Sequence, residues 1–359
     1  MVKKESIKKL AKKLNNLELK RDLYIMEVCG THTMEFFRTG VKDIFPKKLH
    51  LIDGPGCPVC VTPNTYLDRI IEIGKKYKNI VITTFGDMIR VPSSYSSLRE
   101  EKAKGMNIEI VYSPFDALEI AKKNPDKEVI FLGIGFETTA PGEAATIIRA
   151  KEENIKNFSL LSGAKLTIPA VCALLEGKDA KIDGFIYPGH VSVVTGMKPY
   201  HMIAKKYGKP GVVTGFEAHD LIIGTLSLIT LIKGKKQIAI NEYKRVVREE
   251  GNLTARTIMY KVFEKGPSTW RGLGEIPDSG LFIRETYRDF DALYKFPVNP
   301  PPPKEHPGCR CGEILKGQII PYECPLFGKT CTPETPVGPC MVSSEGACAA
   351  YYKYGREKW

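Results

Sequence analysis

The sequence predicts an α/β protein: two α/β domains with parallel sheets, followed by an irregular, partly helical C-terminal region rich in cysteine. Three observations predict it. From residue 23 to about 240, short runs of Ile, Val, Leu and Phe alternate with segments of helical spacing. Those runs are continuously apolar, as parallel strands covered on both faces require, which is the doubly wound, Rossmann-like arrangement. Most of the ten cysteines stand at strand ends or in a tail broken by Gly and Pro.

The elements follow in order. In residues 1–22, Lys recurs with Leu and Ile at helical spacing, predicting an N-terminal surface helix. Strands are expected at 23–28, 49–52, 79–84, 108–111, 128–133, 157–162, 183–187 and 211–214, each bounded by Gly, Pro or Asp. Helices are expected over "HTMEFFRT" and "NTYLDRIIEIGKKY", and "LIIGTLSLITLI" (221–232) reads as a buried helix. A weak repeat, Gly135-Phe136-Glu137 and Gly215-Phe216-Glu217, suggests a duplicated βα unit. The expected division is therefore 23–145 for the first α/β domain, 146–240 for the second and 241–359 for the C-terminal region. Within the last, "FPVNPPPP" (296–303) is a stiff extended linker, because proline fixes φ and removes donors.

The totals set aside several classes. No window approaches the ~20 apolar residues of a membrane span. The N-terminus has charge without an apolar stretch, so it does not read as a secretory signal. The net charge is +12, yet the lysines are scattered and no basic stripe interleaves with aromatics, which argues against nucleic acid. Only two Gln occur beside many Lys, Glu and Ile, a lean towards a thermophile. Together these point to the cytoplasm, where thiols stay reduced and clustered cysteines bind metal or do redox work.

Ligands of doubly wound folds sit beyond the carboxyl ends of strands. Cys29 holds such a place in "VCGTHT". Gly30 permits a sharp turn, Thr31 is placed to cap the next helix, and the helix N-terminus is expected to favour thiolate at Cys29. The plain alternative is a small buried cysteine packing a turn. In "DGPGCPVCVTP", Cys57 and Cys60 form a CxxC framed by Gly and Pro, close enough for a disulfide or a shared metal. One CxxC without a second does not complete a structural zinc site. The turns at 83–92, 133–141, 187–196 and 214–220 add Asp87, Arg90, Glu137, Thr138, His190 and Glu217 along one edge. Singly, Glu137 and Glu217 complement helix dipoles and His190 is a core histidine; together they suggest one site.

Six cysteines close the chain: 309, 311, 324, 331, 340 and 348. Cys309, Cys324, Cys331 and Cys348 would satisfy a four-thiolate centre. Zinc ribbons prefer paired CxxC knuckles, and the irregular spacing in Gly/Pro loops fits a [4Fe–4S] cluster better. Cys311 and Cys340 are then left over, free to pair. Spacing does not choose which four of the six are ligands, and three disulfides are the alternative.

As a set, "CGTHT", "GPGCPVC", "FGDMIRVP", "GFETTAP", "PGHVS" and the six-cysteine tail resemble the HypD family of hydrogenase maturation proteins over nearly the whole chain. The resemblance implies two α/β domains, a third region with a [4Fe–4S] cluster, and a scaffold on which the Fe(CN)2CO unit of [NiFe]-hydrogenase is assembled. It implies a stable complex with the small chaperone HypC, and transient contact with HypE, which delivers cyanide made from carbamoyl phosphate. The hydrogenase large subunit is met indirectly, and the chain alone is a monomer. By that resemblance the iron-binding cysteine is Cys29, with a further thiolate from HypC. The redox pair is Cys57 and Cys60, and the cluster ligands are Cys309, Cys324, Cys331 and Cys348. Cys311 and Cys340 form an adjacent thiol pair. Electrons would pass from the cluster through Cys311/Cys340 and Cys57/Cys60 to the iron, with Thr31, His32 and His190 holding cyanide or moving protons. This is a scaffold more than a conventional turnover enzyme. Two other readings use the same residues: a cluster-linked dithiol reductase in which Cys29 is dispensable, and a zinc-stabilised binding module. No GxxxxGK[ST] supports an ATPase.

Overall fold

The computed structural model describes residues 2–177 and 181–355. Eight strands lie where the apolar runs predict them: β1 (Leu23–Glu27), β2 (Leu49–Asp53), β3 (Ile80–Thr84), β4 (Ile108–Ile110), β5 (Glu128–Gly133), β6 (Phe158–Ser162), β7 (Gly184–Tyr187) and β8 (Gly211–Val213). A short β9 (Ala239–Asn241) follows. All pair in parallel, in two sheets of order β2-β1-β7-β8-β9 and β4-β3-β5-β6. β3 and β8 are buried along their whole length, as expected for strands with helices on both faces.

The sheets do not divide near residue 145. One takes its strands from 23–53 and 184–241, the other from 80–162, so the second is inserted into the first. Every βα unit carries a similar local pattern, and only lateral pairing, such as Val28 N–H to Ile186 O at 3.1 Å, decides membership.

Helix Ala218–Lys233 contains the greasy run and packs on β7 and β8, with helix Val2–Asn15 outside it. Helix Asn64–Lys76 sits where its sequence places it. Beyond the two sheets, the sequence reading missed an antiparallel hairpin, β10 (Phe263–Trp270) and β11 (Gly274–Ile283). Its Gly and Pro content hides it. Tertiary bonds hold it: Trp270 Nε1 donates to Ser279 Oγ at 2.8 Å, and the buried Lys165 Nζ donates to Thr269 O at 2.8 Å.

The proline linker lies along the surface. Tyr95 Oη donates to Pro302 O at 2.8 Å and Lys76 Nζ to Pro297 O at 3.0 Å. It delivers a tail of short helices, Cys311–Leu315 and Ala347–Tyr354, the second packed on helix Gly30–Arg38. Among the described residues no helix is long and apolar enough to cross a membrane.

Candidate functional site

In the first sheet the chain leaves the inner strand β1 for β2 on one side and later returns to β7 on the other. Such a reversal opens a crevice beyond the strand ends. Cys29 follows β1 there, and Gly189 and His190 follow β7.

Cys29 itself is the N-cap of helix Gly30–Arg38, in extended backbone and with no side-chain cap bond. Thr31 is therefore not the cap; its Oγ1 donates to Glu345 Oε1 at 2.6 Å. The Cys29 N–H donates to Glu27 Oε2 at 2.9 Å, and Thr33 Oγ1 donates to Glu27 Oε1. Glu27 lies in register with Asp53 on β2, and burial pushes both carboxyls up, Glu27 well above the usual range with Asp53 adding to it.

The expectation of a thiolate at Cys29 fails in the chain alone. Burial, then the carboxylates of Glu345 and Glu27, push its thiol up to about 12. Desolvation outweighs the dipole of a nine-residue helix.

Phe216 lies between the two histidines, its ring 4.5 Å from His32 and 4.1 Å from His190, stacked on both. His32 is fully buried, and burial lowers it to about 4. Its Nε2 lies 3.1 Å from Gly215 O, a pure acceptor, which places the proton on Nε2 and leaves Nδ1 buried without a partner. His190 is more open; burial lowers it, and Glu345 opposes the shift.

The CxxC loop is pressed onto this turn. A Cβ on Gly56 would lie 2.2 Å from Cys29 N and 2.4 Å from Val28 C, so only glycine fits. Gly30 N–H donates to Gly56 O at 3.2 Å. Cys57 caps the one-turn helix Pro58–Val61, and it is joined to Cys60 by a disulfide with Cα atoms 5.2 Å apart. The tail closes the crevice from a third side: a Cβ on Gly30 would lie 2.1 Å from Glu345 O. Asp87 and Arg90 serve this closure, Asp87 accepting from Ser343 Oγ at 3.1 Å and Arg90 Nη2 donating to Val342 O at 3.2 Å.

Not all predicted residues meet there. Glu137 belongs to the other sheet, buried and accepting from Thr167 N–H at 2.9 Å; burial raises its carboxyl to about 7. Thr138 is exposed beside it. Glu217 caps helix Ala218–Lys233. The sequence reading missed Glu27, Phe216 and Glu345 as site residues. A carboxylate ending an apolar strand just before "VCGTHT" was a signal for Glu27; the other two are brought in from 187 and 316 residues along the chain from Cys29 (216 − 29; 345 − 29).

The six tail cysteines form one group. Cys311 lies at its middle, in hydrogen-bond contact with Cys309, Cys340 and Cys348, while Cys331 is within electrostatic reach of Cys311 and Cys324. Contact with Cys309 leads in making Cys311 the thiol that most readily loses its proton; the converse interaction pushes Cys309, Cys340 and Cys348 up. A Cβ on Gly338 would lie 2.7 Å from Cys309 Sγ and 2.8 Å from Cys311 Sγ, so glycine leaves room for sulfur. An iron–sulfur cluster takes four soft thiolates, and a group of six thiols, mostly buried, has the chemistry to supply them. All six are free thiols, with Cys309, Cys340 and Cys348 hydrogen-bonded to Cys311, and among the described residues no three donors form a ready-made metal cage.

The fold and this site define a doubly wound α/β protein with a thiol at a switch point, a buried CxxC disulfide against it and a six-thiol tail. Comparison with known proteins gives the family. The family described as "HypD: Hydrogenase formation hypA family" matches residues 4–355, and the chain belongs to it. It is 47% identical over 341 residues to the hydrogenase maturation factor HypD of Rhodobacter capsulatus, covering 93% of this chain and 90% of that one. It is 44% identical to that of Escherichia coli, with 94% and 91% covered. With a hydrogenase expression/formation protein of Methanocaldococcus jannaschii the identity is 43%, with 98% and 97% covered.

Proposed function

We propose that this chain serves hydrogenase maturation as the scaffold on which the Fe(CN)2CO unit of [NiFe]-hydrogenase is assembled. Iron is the cargo, held by Cys29 together with a thiolate of HypC, with cyanide arriving through HypE. The observation that carries the reading is Cys29 at the switch point of the first sheet, with Glu27 and Glu345 beside it, the CxxC loop against its backbone, and His32 and His190 stacked on Phe216 in the adjoining turns. Carboxylates that disfavour a lone thiolate favour a metal dication beside it, so the thiol gives up its proton when iron arrives. His32 Nδ1, buried, unprotonated and without a partner, is suited to accept a proton near that iron, and Thr31 Oγ1 can turn from Glu345 to donate to bound cyanide.

Reducing equivalents reach the iron through Cys57 and Cys60, which lie in one core cluster with Cys311 and Cys340. When bound to Cys309, Cys324, Cys331 and Cys348, a [4Fe–4S] cluster supplies single electrons to this set. The compartment is the cytoplasm, where the reduced thiols persist.

The test is infrared spectroscopy on the anaerobic complex with HypC, wild type beside Cys29→Ala. Cyanide and carbonyl stretches present in the wild type and absent in the variant are expected. A second reading, a dithiol reductase acting on protein disulfides, draws on the buried Cys57–Cys60 disulfide. It takes over if neither sample shows those bands while Cys29→Ala keeps disulfide-reductase turnover.

A further inference from the structure

We propose that a cavity beside Cys309 and Cys311 binds a small thiol carrying a carboxylate, and that reducing equivalents enter the buried cysteines there. The inference rests on the redox part of the reading above. The cavity holds about 340 Å³, at the lower end for small-molecule sites. Cys309, Cys311, Asn64, Arg271, Lys304 and Glu305 are among the residues that line it.

The need for such a port comes from burial. Cys57 is 3% exposed, and Cys60 and Cys340 are 0% exposed, so a reductant in solution does not touch them. The cavity instead opens on two thiols of the same group, and Cys311 is in contact with Cys340. Cys340 in turn shares a core cluster with Cys57 and Cys60, and the turn Pro339–Met341 packs on helix Pro58–Val61.

The carboxylate is read from Arg271. Its side chain is 7% exposed, an unusual place for a cation. The Arg271 backbone N–H donates to Val61 O at 2.8 Å and its side-chain Nε to Thr62 O at 3.0 Å, which fixes it at the end of the CxxC helix. Its Nη2 donates to Asn64 Oδ1. The remaining edge meets the Glu305 carboxylate at a loose 3.4 Å, and that side chain is 57% exposed. Glu305 therefore marks where a ligand carboxylate would sit, and it is free to swing away. Lys304, exposed at the rim, adds a second positive charge.

The exchange balances as follows. Cys340 passes its proton to Cys311 along their contact and attacks one sulfur of the Cys57–Cys60 bond, releasing the other as thiolate, which takes the proton on from Cys311. Cys311 then attacks Cys340, forming Cys311–Cys340 and freeing the second CxxC sulfur. One external thiolate attacks Cys311 and displaces Cys340; a second attacks the bound thiol and displaces Cys311. Two RSH become RSSR, and the Cys57–Cys60 disulfide becomes two thiols.

The experiment uses the anaerobic full-length chain with thioglycolate, 2-mercaptoethanol and cysteamine at equal thiolate concentrations. Reduction of Cys57–Cys60 is followed by alkylation and mass spectrometry. In parallel, Cys311 is labelled with iodoacetate or iodoacetamide. Thioglycolate is expected to reduce the disulfide with a saturating rate about tenfold above cysteamine, one charge-assisted contact's worth. Glu305→Gln, a surface change, should widen that preference, and Lys304→Glu should narrow it. Equal, non-saturating rates for all three thiols overturn the port, as does reduction that survives Cys311→Ser unchanged. An iodoacetate preference at Cys311 without any disulfide reduction keeps the carboxylate site and refutes the relay it was proposed to feed.

Discussion

Gly56→Ala tests the central packing claim, that the CxxC loop is seated on the Cys29 turn. The new Cβ would meet Cys29 N at 2.2 Å, Val28 C at 2.4 Å and Cys29 Cα at 2.5 Å, all backbone atoms that no rotamer moves aside. Ordinary contact begins at 3.4 Å, so the loop must retreat by about 1.2 Å (3.4 − 2.2). That retreat stretches the 3.2 Å bond from Gly30 N–H to Gly56 O past its limit. Losing one buried hydrogen bond costs about 1 kcal/mol, and overpacking adds about 1–3 kcal/mol. We expect a total loss of roughly 2–4 kcal/mol in denaturant unfolding. A misplacement of about 1 Å at a reacting centre also costs on the order of a hundredfold in rate, so iron loading in the HypC complex should fall further than stability explains. Gly142→Ala is the control: its nearest neighbour is 4.0 Å away in a helical first turn, and it should be neutral or stabilise by up to about 1 kcal/mol. If Gly56→Ala unfolds and loads iron like Gly142→Ala, the two motifs are not in the contact described.

Two further outcomes are expected. Burial raises Glu143 to about 8 from 4.5, and both its oxygens lack partners. A carboxyl that keeps its proton longer in the fold than in the unfolded chain gives stability that is complete below about pH 4.5 and lost as pH rises through 8. Glu143→Gln should abolish that decline, about 1.4 kcal/mol per pH unit across the window, and parallel pH–stability curves for the two proteins would refute it. Phe216→Ala removes two ring stacks, worth about 1 kcal/mol each, and admits water to His32. NMR titration of the metal-free chain should find His32 rising from about 4 towards 6.5; an unmoved value would mean that other groups hold it neutral.

Much of this protein was legible in its sequence. Eight strands stand at their apolar runs, because a strand buried on both faces needs a continuous run of bulky apolar side chains and its bounds need turn residues. Cys29, Cys57 and His190 stand beyond strand ends for the same local reason. Tertiary structure decided the rest. The insertion of the β3–β6 sheet between β2 and β7 follows from lateral pairing, to which each strand's own pattern is blind. The hairpin Phe263–Ile283 exists because Lys165 and Trp270 anchor it, against its own Gly and Pro. The Cys29 thiol shows the difference most sharply. Its neighbours in sequence promise a thiolate, whereas burial and Glu345, 316 residues away, hold its proton on (345 − 29). Backbone conformation is chosen over a few residues, while solvation and charge are summed over whatever the fold brings near.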